Sequence, residues 1–551
     1  MSVSGAARPG RVLARALIVC ILPGMAVLAA MALRRAQGPF WLAANQDPAY
    51  SYLYDSLRVA QGLPPNHVQH PGTAIQLLGA ATLRATTPGR GAVLQRRVLA
   101  DPETALRSIH AVLLAACALG MAALGASVLA GTGKPALAWL AQAGVLIVPG
   151  LVGELAGVKP EPFLLAMALA MAAVIARPDG RVRASMVPFA LGIASGLALA
   201  AKFTALPLAV AALVALQGVG PRLRFAGAAA LSFLIGVLPA LRQLPASIEF
   251  VRRSVSGAGM YGTGAFAADY GPALRSALAE AAPVIIVTAV SLAAAFGRRG
   301  RPGDRRLLLA LASAELVGLA VLVRQPYGGT RYLVPEGGLL GLNLVVLARL
   351  YASDARAGLR RGPALLFGLA VLALGSREVR GLIAYASGRA RDVRDQEAAA
   401  GAASALQRCA VVEYHKCSSV PSALLFGYGR PPVDGGHLEM LQQLHPAALF
   451  LDYVRDAGGA APSDFRFLPY ESWTHPRFRN FRGGLPLAAV LQGRSCVAFH
   501  GSTGGPGRLF VSPDFARESV PIPGRVEPVY VSPSESVYEL ELGKGVSSGP
   551  P

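Results

Sequence analysis

Charge is scarce in this chain. Asp, Glu, Lys and Arg make up only 15% of its 551 residues, against 53% hydrophobic, and the mean hydropathy is +0.46. A soluble protein of this length needs far more charge to cover its surface, so that class is excluded. Acid is rarer than base: 31 Asp and Glu stand against 52 Lys and Arg, a net charge of +21. The basic residues are scattered through loops and no nucleic-acid-binding motif accompanies them. They read as charges that orient a membrane protein, not as a nucleic-acid partner site. The five cysteines show no C-x-x-C spacing and no H-x-x-x-H partner, which argues against a zinc site. "HGSTGG" (500–505) lacks the G-x-S-x-G spacing of a hydrolase nucleophile and reads as a loop. Internal repeats and heptad seams are also missing.

Long apolar blocks are abundant, many of them long enough to cross a hydrocarbon core of about 30 Å. Candidate spans lie near 12–33, 109–131, 135–151, 162–177, 185–200, 204–218, 224–241, 281–297, 306–323, 333–351 and 363–385, about eleven in all. The fifth and sixth are short enough to form a tight hairpin. The first carries Arg8, Arg11 and Arg15 ahead of an apolar run too long for a signal peptide, and is read as a retained anchor. Short loops rich in Lys and Arg, such as "GRRGRPGDRR" (297–306), put the N-terminus inside; an odd number of spans then leaves the C-terminus outside. The longer outer loops 34–108 and 242–280 carry several arginines, but long loops follow the charge rule less strictly.

After residue 385 the pattern changes. "RCAVVEY", "PAALFLDYV", "SCVAFHG", "GRLFVSP" and "SVYELEL" are short β-rich runs separated by Gly, Pro and Asp, while 398–407 and 436–445 read as helices. The expected fold is mostly α: a polytopic helical bundle over 1–385, with the external loop 34–108, and a small extracytoplasmic α/β domain over 386–551. Cys20 and Cys117 fall in spans. Cys409, Cys417 and Cys496 fall in the outer domain, where oxidation is permitted. Cys409 and Cys417 are a candidate bridge, with free thiols the alternative.

The stretch "NQDPAYSYLYDSLRVAQGLPPNHVQHPGTAIQLLGA" (45–80) follows the first anchor and holds two carboxylates, three tyrosines and two histidines. Asp47-Pro48 is a strong helix start, an N-cap followed by proline at the first helical position, and Gly62 is the stop. Tyr50, Leu53, Tyr54 and Leu57 share one face, suited to the membrane interface. A second amphipathic helix is expected from Thr73 to Ala85. Taken alone, Asp47 reads as a cap, the tyrosines as anchors, and His67 and His70 as turn decoration.

Other stretches add weight to a functional reading. Glu154, Lys159 and Glu161 fall at one outer edge, Lys202 at an outer hairpin, and Arg324 and Arg331 on the same side. Ionisable groups at membrane depth are costly and mark sites or pathways, although single lysines and arginines also snorkel. Glu315, within a span, requires a buried partner or serves a proton or ion path.

"KPEPFLL" (159–165), "AAKFTAL" (200–206) and R-Y-x-x-P (Arg331, Tyr332, Pro335) are similar to recurrent stretches of polytopic glycosyltransferases of the GT-C class, in particular its protein-mannosyltransferase and aminoarabinose-transferase branch. The first external loop, with its Asp, two helices and "HP" segment, also resembles that class. The resemblance covers about residues 12–350. Many relatives carry adjacent acids in this loop; here Gln46 and Pro48 flank Asp47, and Asp55 lies about two helical turns on.

The resemblance implies transfer of a sugar, with inversion, from a polyprenyl-phosphate donor to an acceptor hydroxyl of a protein, lipid or glycan outside the membrane. Asp47 is the candidate general base. Arg331 is the first candidate for the donor phosphate, because a guanidinium grips two phosphate oxygens; Lys202 and Lys159 are second. Glu161, His70, Tyr50 and Tyr332 are candidates to bind the acceptor or orient a partner. No metal ligand set and no certain cofactor are implied, and a divalent cation stays open. The expected location is the bacterial inner membrane, with membrane lipids as partners. The alternatives are a transporter or flippase for a lipid-linked or small polar substrate, and a non-catalytic scaffold.

Overall fold

The computed structural model describes residues 9–68, 72–177, 184–255, 270–297, 301–353, 361–414, 417–428, 435–454, 475–491, 494–502 and 524–542. The helices in chain order are α1 (Pro9–Ala36), α2 (Gln46–Ala60), α3 (Thr73–Thr86), α4 (Ala92–Ala100), α5 (Pro102–Thr132), α6 (Pro135–Ile147), α7 (Leu151–Glu154), α8 (Pro160–Ile175), α9 (Val187–Ala201), α10 (Leu206–Ala215), α11 (Val219–Val237), α12 (Leu244–Val255), α13 (Tyr270–Phe296), α14 (Pro302–Arg324), α15 (Val334–Ser353) and α16 (Arg361–Ala405). After strand β1 (Cys409–Tyr414) come α17 (Val420–Tyr428), α18 (Gly435–Leu444), β2 (Leu449–Val454), β3 (His475–Arg479), β4 (Gly484–Leu485), α19 (Leu487–Val490), β5 (Cys496–Ser502), β6 (Gly524–Val531) and β7 (Glu535–Leu542). The chain divides into two compact units. One comprises Met1–Arg34, Gly62–Leu78 and Ile109–Tyr385; the other comprises Arg35–Gln61, Gly79–Ser108 and Ala386–Pro551.

The first unit is helical, and each of the eleven expected spans falls on a helix. Among the described residues, six helices are long and apolar enough to cross a membrane: Leu13–Ala36, Pro102–Thr132, Val219–Arg252, Tyr270–Phe296, Pro302–Arg324 and Gly329–Tyr351. The chain is an integral membrane protein. Four further apolar helices, Pro135–Ile147, Pro160–Ile175, Val187–Ala201 and Phe203–Ala215, are shorter. At 1.5 Å per residue, even the 16 residues of α8 reach only about 24 Å. The eleventh predicted span falls on the first part of α16.

Small residues let these helices approach closely. A Cβ on Gly341 of α15 would lie 1.8 Å from the Ala141 carbonyl oxygen of α6, and one on Gly144 would lie 2.4 Å from the Gly341 nitrogen. The two backbones therefore touch where any side chain would force them apart. Glu315, on α14, is fully buried. It accepts hydrogen bonds from Thr288 Oγ1 at 2.8 Å and from Asn343 Nδ2 at 2.9 and 3.1 Å. Ser291 Oγ donates in turn to Asn343 Oδ1 at 2.8 Å. Partners on the two neighbouring helices account for a charge that the sequence left between a buried partner and an ion path.

The second unit is built on a seven-stranded sheet of order β4-β3-β2-β1-β5-β7-β6. The central strand β1 runs parallel to β2 and β5, and the outer pairings are antiparallel. Val412, Tyr414, Phe478, Val497, Phe499 and Leu540 form its core. "RCAVVEY", "PAALFLDYV", "SCVAFHG" and "SVYELEL" are strands as expected, while "GRLFVSP" lies outside the described residues.

Two expectations are corrected in this unit. The disulfide joins Cys409 to Cys496, not to Cys417. Cys409 opens β1 opposite Cys496 in the parallel register. An extended strand rising about 3.3 Å per residue carries Cys417 far from that end. Cys417 is a buried free thiol; burial, then Glu413 and Glu535, push its pKa well up. The tyrosine face of α2 is also not a membrane-interface face. Tyr50, Leu53, Tyr54 and Leu57 are all covered by protein, at 0, 0, 1 and 0% exposure. α17 packs here so closely that a Cβ on Gly427 would lie 2.6 Å from the Tyr50 carbonyl.

Candidate active site

In the first unit the site begins where α8 begins. Lys159 is extended (φ −159°, ψ 173°) and caps a helix whose first residue is Pro160. Proline there needs no hydrogen-bond partner and carries the right φ. This puts Glu161 in the first turn, where the helix dipole favours a carboxylate. Lys202 occupies the equivalent break after α9, extended at φ −164° and ψ 134°. Its Nζ lies 2.7 Å from Glu161 Oε1, and the two side chains are only 7% and 4% exposed. The start of α3 reaches the same hairpin. The Gly72 amide donates to the Ala201 carbonyl at 3.2 Å, and Thr73 Oγ1 donates to the Ala200 carbonyl at 3.3 Å.

Lys159 forms a second ion pair with Glu154. The loop between them is held from α5 by His110 Nε2 at 2.8 Å from the Leu155 carbonyl. Arg34 reaches the Ala156 carbonyl at 3.4 Å. Tyr332 comes from the 3₁₀ segment Pro326–Leu333, and Lys202 Nζ sits 5.3 Å from its ring centroid. Two clamps hold that segment: the Thr330 amide and Oγ1 donate to Glu280 Oε2 at 3.1 and 2.7 Å. Gly329, at φ 53° and ψ −142°, lets Glu280 approach; a Cβ there would lie 3.0 Å from the carboxylate. Arg331 is exposed. Among the described residues it forms no ion pair.

The local charge balance follows. Lys159 and Lys202 are each matched by a carboxylate, Glu154 and Glu161. Among the described residues Arg331 and Arg324 are both exposed and without an ion pair, and Arg331, next to Tyr332 in the chain, is the one adjoining these pairs.

Asp47 lies in the second unit. Its backbone is extended (φ −96°, ψ 125°) within α2, so the regular helix starts at Pro48 as the sequence suggests. Asp55, two turns along, is fully buried. Tyr50 is buried too; among the described residues its hydroxyl finds no hydrogen-bond partner, and desolvation, then Glu103 and Asp101, push its pKa up.

Two solved structures resemble the chain. ArnT from Cupriavidus metallidurans bound to undecaprenyl phosphate matches over 99% of this chain and 100% of its own, with 13% identity and a TM-score of 0.49. The apo structure of the same protein matches over 88% and 95%, with 13% identity and a TM-score of 0.44. ArnT is an aminoarabinose transferase of the GT-C class, the branch whose motifs the sequence resembles. No family model and no curated protein matches the chain.

Of the sequence-derived candidates, Lys159, Glu161, Lys202, Arg331 and Tyr332 share the first unit, and Asp47 and Tyr50 share the second. His70 lies outside the described residues. Sequence reasoning passed over Glu280 and Thr330. The signal available was Glu280, the one acid within α13, just ahead of the apolar run 281–296. Cys409, Cys496 and Glu539 bring ligand atoms within 4.8 Å of one another, but the two sulfurs are bonded to each other and offer no thiolate pair.

Proposed function

We propose that the protein is a membrane glycosyltransferase that moves a sugar from a polyprenyl-phosphate donor to an acceptor hydroxyl, with inversion, on the outer face of the bacterial inner membrane. The N-terminus is then cytoplasmic and the C-terminal domain extracytoplasmic. The observation that carries this reading is the cluster of paired charges against Tyr332, the chain neighbour of Arg331. Three stretches far apart in sequence bring two lysine–carboxylate pairs and Tyr332 together, and the exposed Arg331 next to Tyr332 in the chain has no ion pair among the described residues.

The chemistry has two requirements. The acceptor oxygen forms a bond to the anomeric carbon while the bond from that carbon to the phosphate oxygen breaks, so negative charge grows on the departing lipid phosphate. Arg331 is suited to that charge, because its planar fork can donate to two phosphate oxygens at once. The acceptor hydroxyl loses its proton, and Asp47 takes it. General-base assistance of this kind contributes about 10²–10⁴-fold. Glu161 and Lys202 act together as a buried support that holds Tyr332 and the start of α8. Glu154 and Glu161 already face lysines, so in this scheme they are not the metal ligands, and a divalent cation stays open.

The test is release of undecaprenyl phosphate from undecaprenyl-phosphate hexoses and pentoses by the protein in lipid nanodiscs, with a bacterial envelope extract supplying acceptor hydroxyls. Release dependent on Arg331 and Asp47 supports the reading. A protein that moves these lipids between leaflets without cleaving them is a flippase instead.

A further inference from the structure

The segment that carries Asp47 is gripped on both sides by residues from far along the chain, all within the second unit. Asn45 Nδ2 donates to the carbonyls of Gln37 and Pro39 at 2.6 and 2.8 Å. Its Oδ1 accepts from Arg389 at 3.1 Å. Arg389 is itself held on α16 by Asp392 at 2.9 Å. Gln46, fully buried, donates to the Trp41 carbonyl at 2.9 Å and to the Cys417 carbonyl at 2.6 Å. The Ala43 amide donates to Ser418 Oγ at 3.1 Å. The residues immediately before Asp47 are therefore fixed by α16 and by the turn between β1 and α17.

Ser418 does this because of what stands behind it. Its hydroxyl donates to Glu535, and Glu535 pairs through its other oxygen with His500 Nε2 at 2.7 Å. Ser418, Glu535 and His500 are all buried. A hydroxyl has one proton, and an ionised carboxylate only accepts. Glu535 thus fixes the direction of the Ser418 proton and leaves the oxygen lone pairs for the Ala43 amide.

We propose that Ser418 and Arg389 are positioning residues for the Asp47 segment, and that holding this segment is the contribution of the C-terminal domain and the α16 extension to the reaction. The proposal rests on the reading of Asp47 as the base. A catalytic group displaced by about 1 Å can lose on the order of 10²-fold in rate, and this segment has no regular helix on its N-terminal side to fix it otherwise.

The full-length protein in nanodiscs is assayed with undecaprenyl-phosphate hexoses and pentoses and an envelope extract supplying acceptor hydroxyls for kcat and donor KM, alongside hydrogen–deuterium exchange of residues 41–50 and of β1 and β5. Ser418→Ala is expected to speed exchange at 41–50, leave β1 and β5 protected, and lower kcat about 10- to 100-fold with donor KM within twofold. Ser418→Thr, which keeps the hydroxyl, restores both. Arg389→Ala moves kcat and the exchange of 41–50 the same way, and it carries the test should Ser418→Ala lose protection throughout the sheet. Wild-type kcat in a variant whose 41–50 segment exchanges faster overturns the proposal, as does unchanged exchange in both variants. Asp47→Asn in the same assay separates the two ideas. Turnover by Asp47→Asn removes the base assignment whatever Ser418 does. A dead Asp47→Asn beside a fully active, loosened Ser418→Ala removes only the positioning role.

Discussion

Lys202 and Glu161, 41 residues apart in sequence, meet as a buried ion pair with Nζ 2.7 Å from Oε1. A buried pair is weak evidence for stability, since desolvating two charges offsets most of their attraction. Its removal is informative because the two ways of removing it have opposite consequences. Glu161→Gln or Lys202→Met alone strands a charge and should cost about 3–5 kcal/mol. Lys202→Met with Glu161→Leu should recover much of that stability. Turnover in the double variant should stay low, because the ammonium over Tyr332 has also gone. Thermal unfolding in detergent together with donor cleavage checks this. A double variant with full turnover makes the pair purely architectural.

Arg331 is exposed and its side chain is unpaired among the described residues, so Arg331→Ala should leave stability within about 0.5 kcal/mol of wild type. Loss of charged hydrogen bonds, at about 1.5–3 kcal/mol, predicts a drop of roughly 10- to 100-fold in kcat/KM for the lipid donor. Arg331→Lys should recover part of it, because a point charge replaces a two-pronged grip. Unchanged kinetics in Arg331→Ala removes it from the site.

Glu315 and Glu336 are both fully buried in the membrane-spanning helices and should respond differently. Glu315 is hydrogen-bonded by Thr288 and Asn343, so Glu315→Leu strands those groups and should cost about 1–3 kcal/mol. Among the described residues neither carboxyl oxygen of Glu336 has a hydrogen-bond partner. Glu336→Gln or Glu336→Met should therefore be neutral or stabilising. Midpoint shifts in thermal unfolding decide it, and a large loss in Glu336→Met contradicts this account.

The Cys409–Cys496 bridge spans 87 residues. A loop of that length predicts about 4–5 kcal/mol of stabilisation by chain entropy, with 2–4 typical. Mass spectrometry of the oxidised protein should recover the 409–496 linked peptide. Cys417, buried and with its thiol pKa raised, should resist alkylation at pH 8 until the domain unfolds. A 409–417 linked peptide contradicts the sheet register.

Much of this architecture is legible in the sequence because hydropathy and proline placement act locally. The apolar runs became helices, and Lys159-Pro160-Glu161 opens α8 as its composition implies. Two features were not legible, for the same reason. The apolar face of α2 announces burial but not what covers it. The cover is α17, where Gly427 leaves room for the Tyr50 backbone. The cysteine partner likewise depends on which strands become neighbours, and spacing along the chain holds no record of that. The grip on Asn45 and Gln46 is hidden in the same way, since Arg389, Cys417 and Ser418 lie hundreds of residues away.

In the proposed reaction Asp47 takes the acceptor proton. The direct measurement is undecaprenyl phosphate release by Asp47→Asn in nanodiscs, with binding of undecaprenyl phosphate measured on the same preparation. The account predicts a loss of at least about 10²-fold in turnover, with lipid-phosphate binding and folding intact. Turnover at the wild-type rate would contradict it.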